Sequence, residues 1–418
     1  MEIKNFINFI EKSSTAFHAV KNLELMLKEA GFEALTSDKK VKRGGSYYKL
    51  RNESAIIAFR IPENENFSSF RMASAHSDSP CYKIKANPTI YRQGYTLLNV
   101  ASYGGMIHST FFDIPLKIAG RVAYLDKNGN VKTQLIDFEK PNVSIANLAI
   151  HFNREINKGY EYKVAKDIVP ILGLGEIDLL KLIKEKFEVD GEIVSHDLFV
   201  CSAVKPYVWG INDEFISSPR LDDLECAYAA VKALITSRVN EGAMALIFNN
   251  EEVGSSSYMG ANSDFLFSVL TKVREDLGLS ESWLYESLEK SFTISADNAH
   301  ALHPNYLETY DMNNTTMINQ GPAIKFSPNQ KYTTDSVTAA RFITLCKQSG
   351  VNYQCFENHS NVAGGSTLGN ISNSQVSVPS VDIGLPQLAM HSSCELAGTK
   401  DFLDLIKVLE THFSYKAK

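Results

Sequence analysis

No stretch of the 418-residue sequence approaches the roughly 18 consecutive apolar residues of a membrane-spanning helix. Nor is the opening segment expected to be a secretory signal, which needs a basic start and an unbroken apolar core, whereas Glu2 comes early here and charge interrupts the apolar pattern. Cysteine is scarce. The six (Cys81, Cys201, Cys226, Cys346, Cys355, Cys394) form no CxxC and lie far apart, which excludes a disulfide frame or zinc ribbon and predicts reduced thiols in a cytoplasmic protein. Basic residues are not in excess: 42 Lys and Arg against 48 Asp and Glu give a net charge of -6, which argues against a nucleic-acid partner. The 18 Tyr and 23 Phe lack clustered cations and read as core. There is no GxSxG elbow and no HExxH. Gly364 and Gly369 have P-loop spacing, but Asn370 stands where a lysine is required. That segment reads as a loop lining a substrate pocket, or more simply as a turn.

What is present is an ordinary globular balance, 44% apolar and 22% charged, in a length suited to two or three domains. Ser14 to Gly31 carries Phe17, Val20, Leu23 and Leu27 at helical spacing. SYYKL and SAIIAFRI, joined by Arg51-Asn52-Glu53, predict a hairpin, and Ser69 to His76 a further strand. From about residue 90 to 215 the pattern becomes short β runs with turns, including a hairpin around Asp126-Lys127-Asn128-Gly129-Asn130 and one helix at 177–187. After Pro219, strands (243–248, 291–296, 378–383) alternate with helices (from Leu224, then 265–277, 337–346 and 402–413). This predicts an α/β layer fold, with one α/β domain from residues 1–90 and 216–418 and an inserted β-rich domain at 91–215.

Five segments carry chemistry: AHSDSP, SPRLDD, FNNEEVGS, ISADNAH and QLAMHSS. Each follows a predicted strand or opens a helix. In open α/β sheets ligands sit outside the carboxyl ends of the strands, so His76, Asp222, Glu251, Glu252, Asp297 and His391 are expected at one edge. Two histidines and several carboxylates suit Zn²⁺, Mn²⁺ or Co²⁺ without a thiolate. One carboxylate can bridge two ions, and in a Glu-Glu pair one can ligate while the other acts as general base. Asp78, two residues after His76, can accept an imidazole N–H and set the tautomer. Each residue alone has a plainer reading: Asp222 as a helix cap, His76 as a structural histidine, Glu251-Glu252 as a surface dipeptide.

The chain resembles the aspartyl aminopeptidase and vacuolar aminopeptidase I family, metallopeptidase family 18. The resemblance rests on FHAV (17–20), AHSDSP (75–80), YGG (103–105), FFD (111–113), AGRV (119–122), LAIHFNRE (148–155), SPRLDDL (218–224), NEEVGSSS (250–257), SADNAHALHPNY (295–306), GPAIK (321–325), AGGSTLGN (363–370) and GLPQLAMHSSCE (384–395), in family order along nearly the whole chain. It implies a dinuclear-zinc exopeptidase-like α/β/α catalytic domain with an inserted dimerisation domain. It implies that His76, Asp222 and Asp297 bind one metal, and that Asp222, Glu252 and His391 bind the other, with Asp222 bridging. Zinc is the implied metal, two ions per subunit, with Co or Mn as substitutes. Glu251 matches the general base and Asp78 the residue behind His76. His151 matches a histidine that reaches the partner subunit's active site; His300 and Lys325 match residues of the substrate pocket. Family members form dodecamers built from dimers.

Two positions depart from the family. Asn361 replaces the usual Asp before the glycine loop, and Met106-Ile107-His108 follows YGG where many members have Trp. The resulting expectation is a cytoplasmic metalloaminopeptidase acting on peptides, favouring N-terminal Asp or Glu, with no membrane or nucleic-acid partner. Its rivals are cleavage of neutral N-termini, an amidohydrolase or deacylase with the same metal chemistry, and a catalytically silent oligomeric shell or binding protein.

Overall fold

The computed structural model describes residues 1–362 and 364–415; Ala363, the first residue of the AGGSTLGN segment, and residues 416–418 lie outside the described residues. It divides into two units. The first comprises Met1–Asp78, Tyr207–Met390 and Glu395–Lys418; the second comprises Ser79–Pro206 with His391–Cys394.

The first unit is built on a nine-stranded mixed sheet. Its centre is Gly242–Phe248, Phe70–His76 and Phe292–Ala296, parallel neighbours in which Phe248 pairs with His76 and Ser295 with Ser74. These strands are buried along almost their whole length because both faces are covered. Successive side chains point to opposite faces, so Phe70 and Met72 enter one core cluster while Ala73 and Ala75 enter the other. Small Ala73 and Ala75 admit the helix Leu221–Thr236, which is itself lined by Ala227, Ala230 and Ala233. The same face carries Ala16–Glu29 and Thr399–Phe413; the latter buries Phe402, Leu405, Ile406, Leu409 and Phe413 at helical spacing. Phe6 of the N-terminal helix Glu2–Lys12 stacks on Phe402, with ring centroids 4.5 Å apart. The other face takes Phe265–Asp276 and Glu281–Lys290. The expected hairpin forms between Ser46–Arg51 and Ala55–Arg60, with Asn52 and Glu53 at positive φ in its turn.

The second unit is a six-stranded antiparallel sheet with its own core. Its strands are longer than the expected short runs: Cys81–Arg92, Tyr95–Tyr103, Leu116–Leu125 and Glu192–Ser202. Lys83, Lys85 and Arg92 break up the apolar pattern, yet a sheet with one wetter face accepts such alternation without ending the strand. A bulge between Ile84 and Thr89 further disguises one long strand as two. Among the described residues no disulfide forms, and no helix is long and apolar enough to cross a membrane.

Candidate active site

The carboxyl ends of the three central parallel strands meet at one edge. His76 ends its strand, Asp297 directly follows Phe292–Ala296, and Glu251-Glu252 follow Gly242–Phe248 by a short turn. Asp222 arrives from a different direction, at the start of the helix Leu221–Thr236, where φ -78° and ψ 109° depart from helical values and the peptide to Asp223 is cis.

His76 is buried. Its Nδ1–H donates to the Asp78 backbone carbonyl at 3.0 Å, while the Asp78 carboxylate lies 3.5 Å away. This leaves Nε2 facing Asp222 Oδ1 at 3.4 Å and Asp297 Oδ1 at 3.8 Å. A neutral imidazole with Nδ1 protonated would oppose its lone pair to two carboxylates, so the arrangement needs positive charge at its centre. Burial opposes an imidazolium, but the pairing with Asp222, Asp297 and Asp78 outweighs it and lifts the His76 pKa. One atom each from His76, Asp222 and Asp297 lie within 4.8 Å of one another, and so do one each from His76, Glu251 and Glu252. One imidazole and several carboxylates are a donor set that suits zinc, so the residues present fit the metal.

Asp78 has a second function that its spacing does not reveal. Oδ1 accepts the Glu251 N–H at 3.1 Å and Oδ2 the Glu252 N–H at 3.2 Å. One carboxylate therefore holds the turn that presents both glutamates. Burial pushes the Glu251 carboxyl up to about 8, and Asp297, Asp78 and Asp222 add to the shift.

Three further acids support the cluster and had no role assigned from sequence. Asp223 Oδ2 accepts the His76 N–H at 3.0 Å, and Glu395 Oε2 accepts the Asp222 N–H at 3.0 Å. Glu225 is buried and shares Asn298 Nδ2, and burial raises its pKa well above the ordinary range. The doubled Asp in SPRLDD and the acid closing MHSSCE were visible, but only burial separates them from surface residues.

Lys325, on Ala323–Phe326, is buried. Its ammonium donates to the Asn298 carbonyl at 2.8 Å and lies 3.8 Å from Asp297 Oδ2. It thus steadies Asp297 from behind. His300 is exposed on Ala299–His300, its ring edge-on to Phe356. Asn361 is exposed, and its N–H donates to His359 Nδ1. Of the glycine-rich segment, residues 364–367 are irregular, while residues 368–370 open a short helix, Leu368–Gln375, instead of continuing the loop. Thr367 donates to Asp382, and a Cβ at Gly369 would come within 2.4 Å of that carboxylate, so glycine lets the helix approach.

In the second unit, His391 has φ +66° and its Nδ1–H donates to the Gly105 carbonyl, which reserves Nε2. Ile107 N–H donates to the His391 carbonyl. Ser393 N–H donates to the Thr110 hydroxyl at 2.9 Å, and the Ser393 hydroxyl to the Thr110 carbonyl at 2.6 Å. The YGG-containing turn therefore clamps the His391 segment. His108 shares a 3.0 Å hydrogen bond with Tyr82 and packs against its ring. His151 is exposed on an irregular segment beside Phe152.

Residues 9–413 match the family described as aminopeptidase I zinc metalloprotease (M18). A probable M18 family aminopeptidase 2 of Clostridium novyi is 42% identical over 98% of this chain and 97% of its own. Among solved structures, a chain in a complex of Ape4 and Nbr1 superposes with a TM-score of 0.93 at 32% identity, covering 98% of this chain and 85% of that one. The S. cerevisiae mApe1 dodecamer superposes at 0.86 with 26% identity, covering 99% of this chain and 96% of that one. The α/β fold, the histidine–carboxylate edge and the match along almost the whole length agree: the chain belongs to the M18 family of zinc metallo-aminopeptidases, hydrolases that act on peptides.

Proposed function

We propose that this chain is a dinuclear aminopeptidase of the cytoplasm, in which His76, Asp222 and Asp297 hold one ion and Asp222, Glu252 and His391 the other. The observation that carries this reading is the convergence of His76 Nε2, Asp222 and Asp297 on one point, with Asp78 fixing both His76 and the Glu251-Glu252 turn. Zinc, when bound, supplies Lewis-acid polarisation of the scissile carbonyl and lowers the pKa of water. Glu251 takes a proton from the attacking water and returns it to the leaving amine. Its burial suits that task, since a base must be poised near the working pH. Asp78 holds Glu251 in place, and Lys325 holds Asp297. His151, from a partner subunit, stabilises the developing oxyanion, and His300 lines the substrate pocket. The assembly is a homo-oligomer built from dimers through the inserted β-rich domain, with a dodecamer as its full form.

The substrate is a peptide with a free N-terminus. A preference for Asp or Glu there rests on Lys325 as the buried cation of the pocket region. Cleavage of neutral N-termini is favoured instead by one observation: the Lys325 ammonium is already engaged by the Asn298 carbonyl and Asp297. The test is kcat/KM for Asp-, Glu- and Leu-initiated peptides, free and N-acetylated, in wild type and Lys325→Met. Activity confined to free amines supports the aminopeptidase, and activity that survives acetylation supports the deacylase. An acidic preference that collapses in Lys325→Met assigns that lysine to specificity; equal or better cleavage of the Leu peptide by wild type rules the preference out.

A further inference from the structure

The strand that ends in His76 begins near a second polar side chain buried as deeply as an active-site residue. Arg71 lies five residues earlier, so it sits ~17 Å away at the amino end of the same strand, far from the metal edge. It is 9% exposed, and its Nε–H is sealed from solvent with no acceptor. Among the described residues the Arg71 side chain has no hydrogen bond and no ion pair. Its one close partner is the Tyr415 ring, 4.4 Å from the guanidinium carbon. A ring covers the face of a guanidinium, whereas the N–H donors lie in its plane, so stacking on Tyr415 leaves the buried Nε–H unmet.

Arginine cannot escape by losing its proton, and a buried charge without a partner is strongly unfavourable. Burial lowers the Arg71 pKa and Arg341 adds repulsion, while the attraction of Tyr415 and Glu241 does not offset them. Glu241 is itself occupied, its Oε2 accepting the Ser68 and Ser69 N–H groups and the Ser69 hydroxyl.

Arg71 lines a cavity of about 670 Å³, within the range of small-ligand sites. Phe292 and Tyr415 supply apolar wall, and Arg341 and Lys290 stand exposed among the lining residues. Against these three cations Glu289 is the only acid among the described lining residues. A guanidinium fork matches the two oxygens of a phosphate or carboxylate, and the additional cations raise the local concentration of anions.

We propose that this cavity is an anion-binding site, separate from the metal edge, which takes a small phosphate or carboxylate group onto Arg71. The bound anion completes the charge balance that the fold leaves open. Inorganic phosphate and succinate represent the two sources of that chemistry.

Isothermal titration and thermal unfolding of the full-length, metal-loaded protein at constant ionic strength test it, each anion titrated separately. The expected result is saturable binding of one or both anions, one per chain, with a rise in Tm. Arg71→Met should lose affinity by at least about 30-fold, the loss typical of truncating a buried charge pair. It should also lose the anion-dependent Tm rise, and should be at least as stable as wild type without anion. An anion attached to the metal edge would instead bind Arg71→Met unchanged. If Arg71→Met does not fold, the exposed pair Arg341→Gln with Lys290→Gln should weaken binding by about tenfold. The proposal is overturned if neither anion binds wild type saturably, or if these substitutions leave the binding as it was.

Discussion

At the scale of single residues, the adjacent glutamates separate cleanly. Their backbones are held alike by Asp78, so a side-chain change need not disturb the turn. Glu251→Gln should retain metal and fold but lose about 10²–10⁴-fold in kcat, the usual contribution of a general base. Glu252→Gln should lose metal as well. Turnover of Glu251→Gln near wild type, with metal content measured in the same sample, would remove Glu251 from the role of base.

At the scale of elements, the clamp on His391 makes a testable claim. The Thr110 hydroxyl donates to the Ile107 carbonyl and accepts the Ser393 N–H, tying the turn that holds the His391 ring to the segment that carries it. Thr110→Val removes both bonds at nearly constant volume, while Thr110→Ser keeps the hydroxyl. The valine variant should release one metal more readily on dialysis against chelator, as second-sphere changes cost about 10–100-fold in affinity, and the serine variant should not. Equal retention in both would make the clamp merely structural. Elements also mark what sequence reading could reach. The closing helix was expected at 402–413 and is found at Thr399–Phe413, because its apolar stripe is long and regular. Glu2–Lys12 went unread although Phe6, Phe9 and Ile10 have helical spacing, since the segment was weighed only as a possible leader. Glu281–Lys290 buries only Leu284, Ser287 and Leu288, too thin a stripe to stand out. Strand ends carrying His76 and Asp297 were legible from apolar runs that stop at a polar residue. The contacts of Asp223, Glu395 and Lys325 were not, because the first two depend on pairs 147 and 173 positions apart, and the third on burial that an isolated lysine does not advertise.

At the scale of the whole molecule, burial links folding to pH. His412 in the closing helix is buried, with its Nε2–H on the Met72 carbonyl, and burial lowers its pKa to about 3, helped by Arg71. The folded state keeps it neutral while the unfolded chain protonates it below about 6.5. Its contribution therefore weakens stability as pH falls, by about 1.4 kcal/mol per pH unit between those limits. Denaturant midpoints from pH 4 to 6.5 should fall less steeply with acidification in His412→Phe than in wild type; parallel slopes would contradict this. Assembly is tested by mixing inactive subunits. If His151 serves a partner's site, His151→Ala mixed with Glu251→Gln should regain part of the activity, because one site in each mixed dimer has both residues intact. No recovery after verified exchange would place His151 in its own subunit or outside the reaction.

The central claim is that one carboxylate, Asp222, joins two metal ions at the edge of the sheet. It is tested most directly by metal content per chain after dialysis, measured by mass spectrometry on wild type and Asp222→Ala under metal-replete conditions. The account predicts two ions in wild type and the loss of both in Asp222→Ala, with His76→Ala weakening mainly one. A wild-type chain that keeps no transition metal, or an Asp222→Ala chain that keeps both, would contradict it.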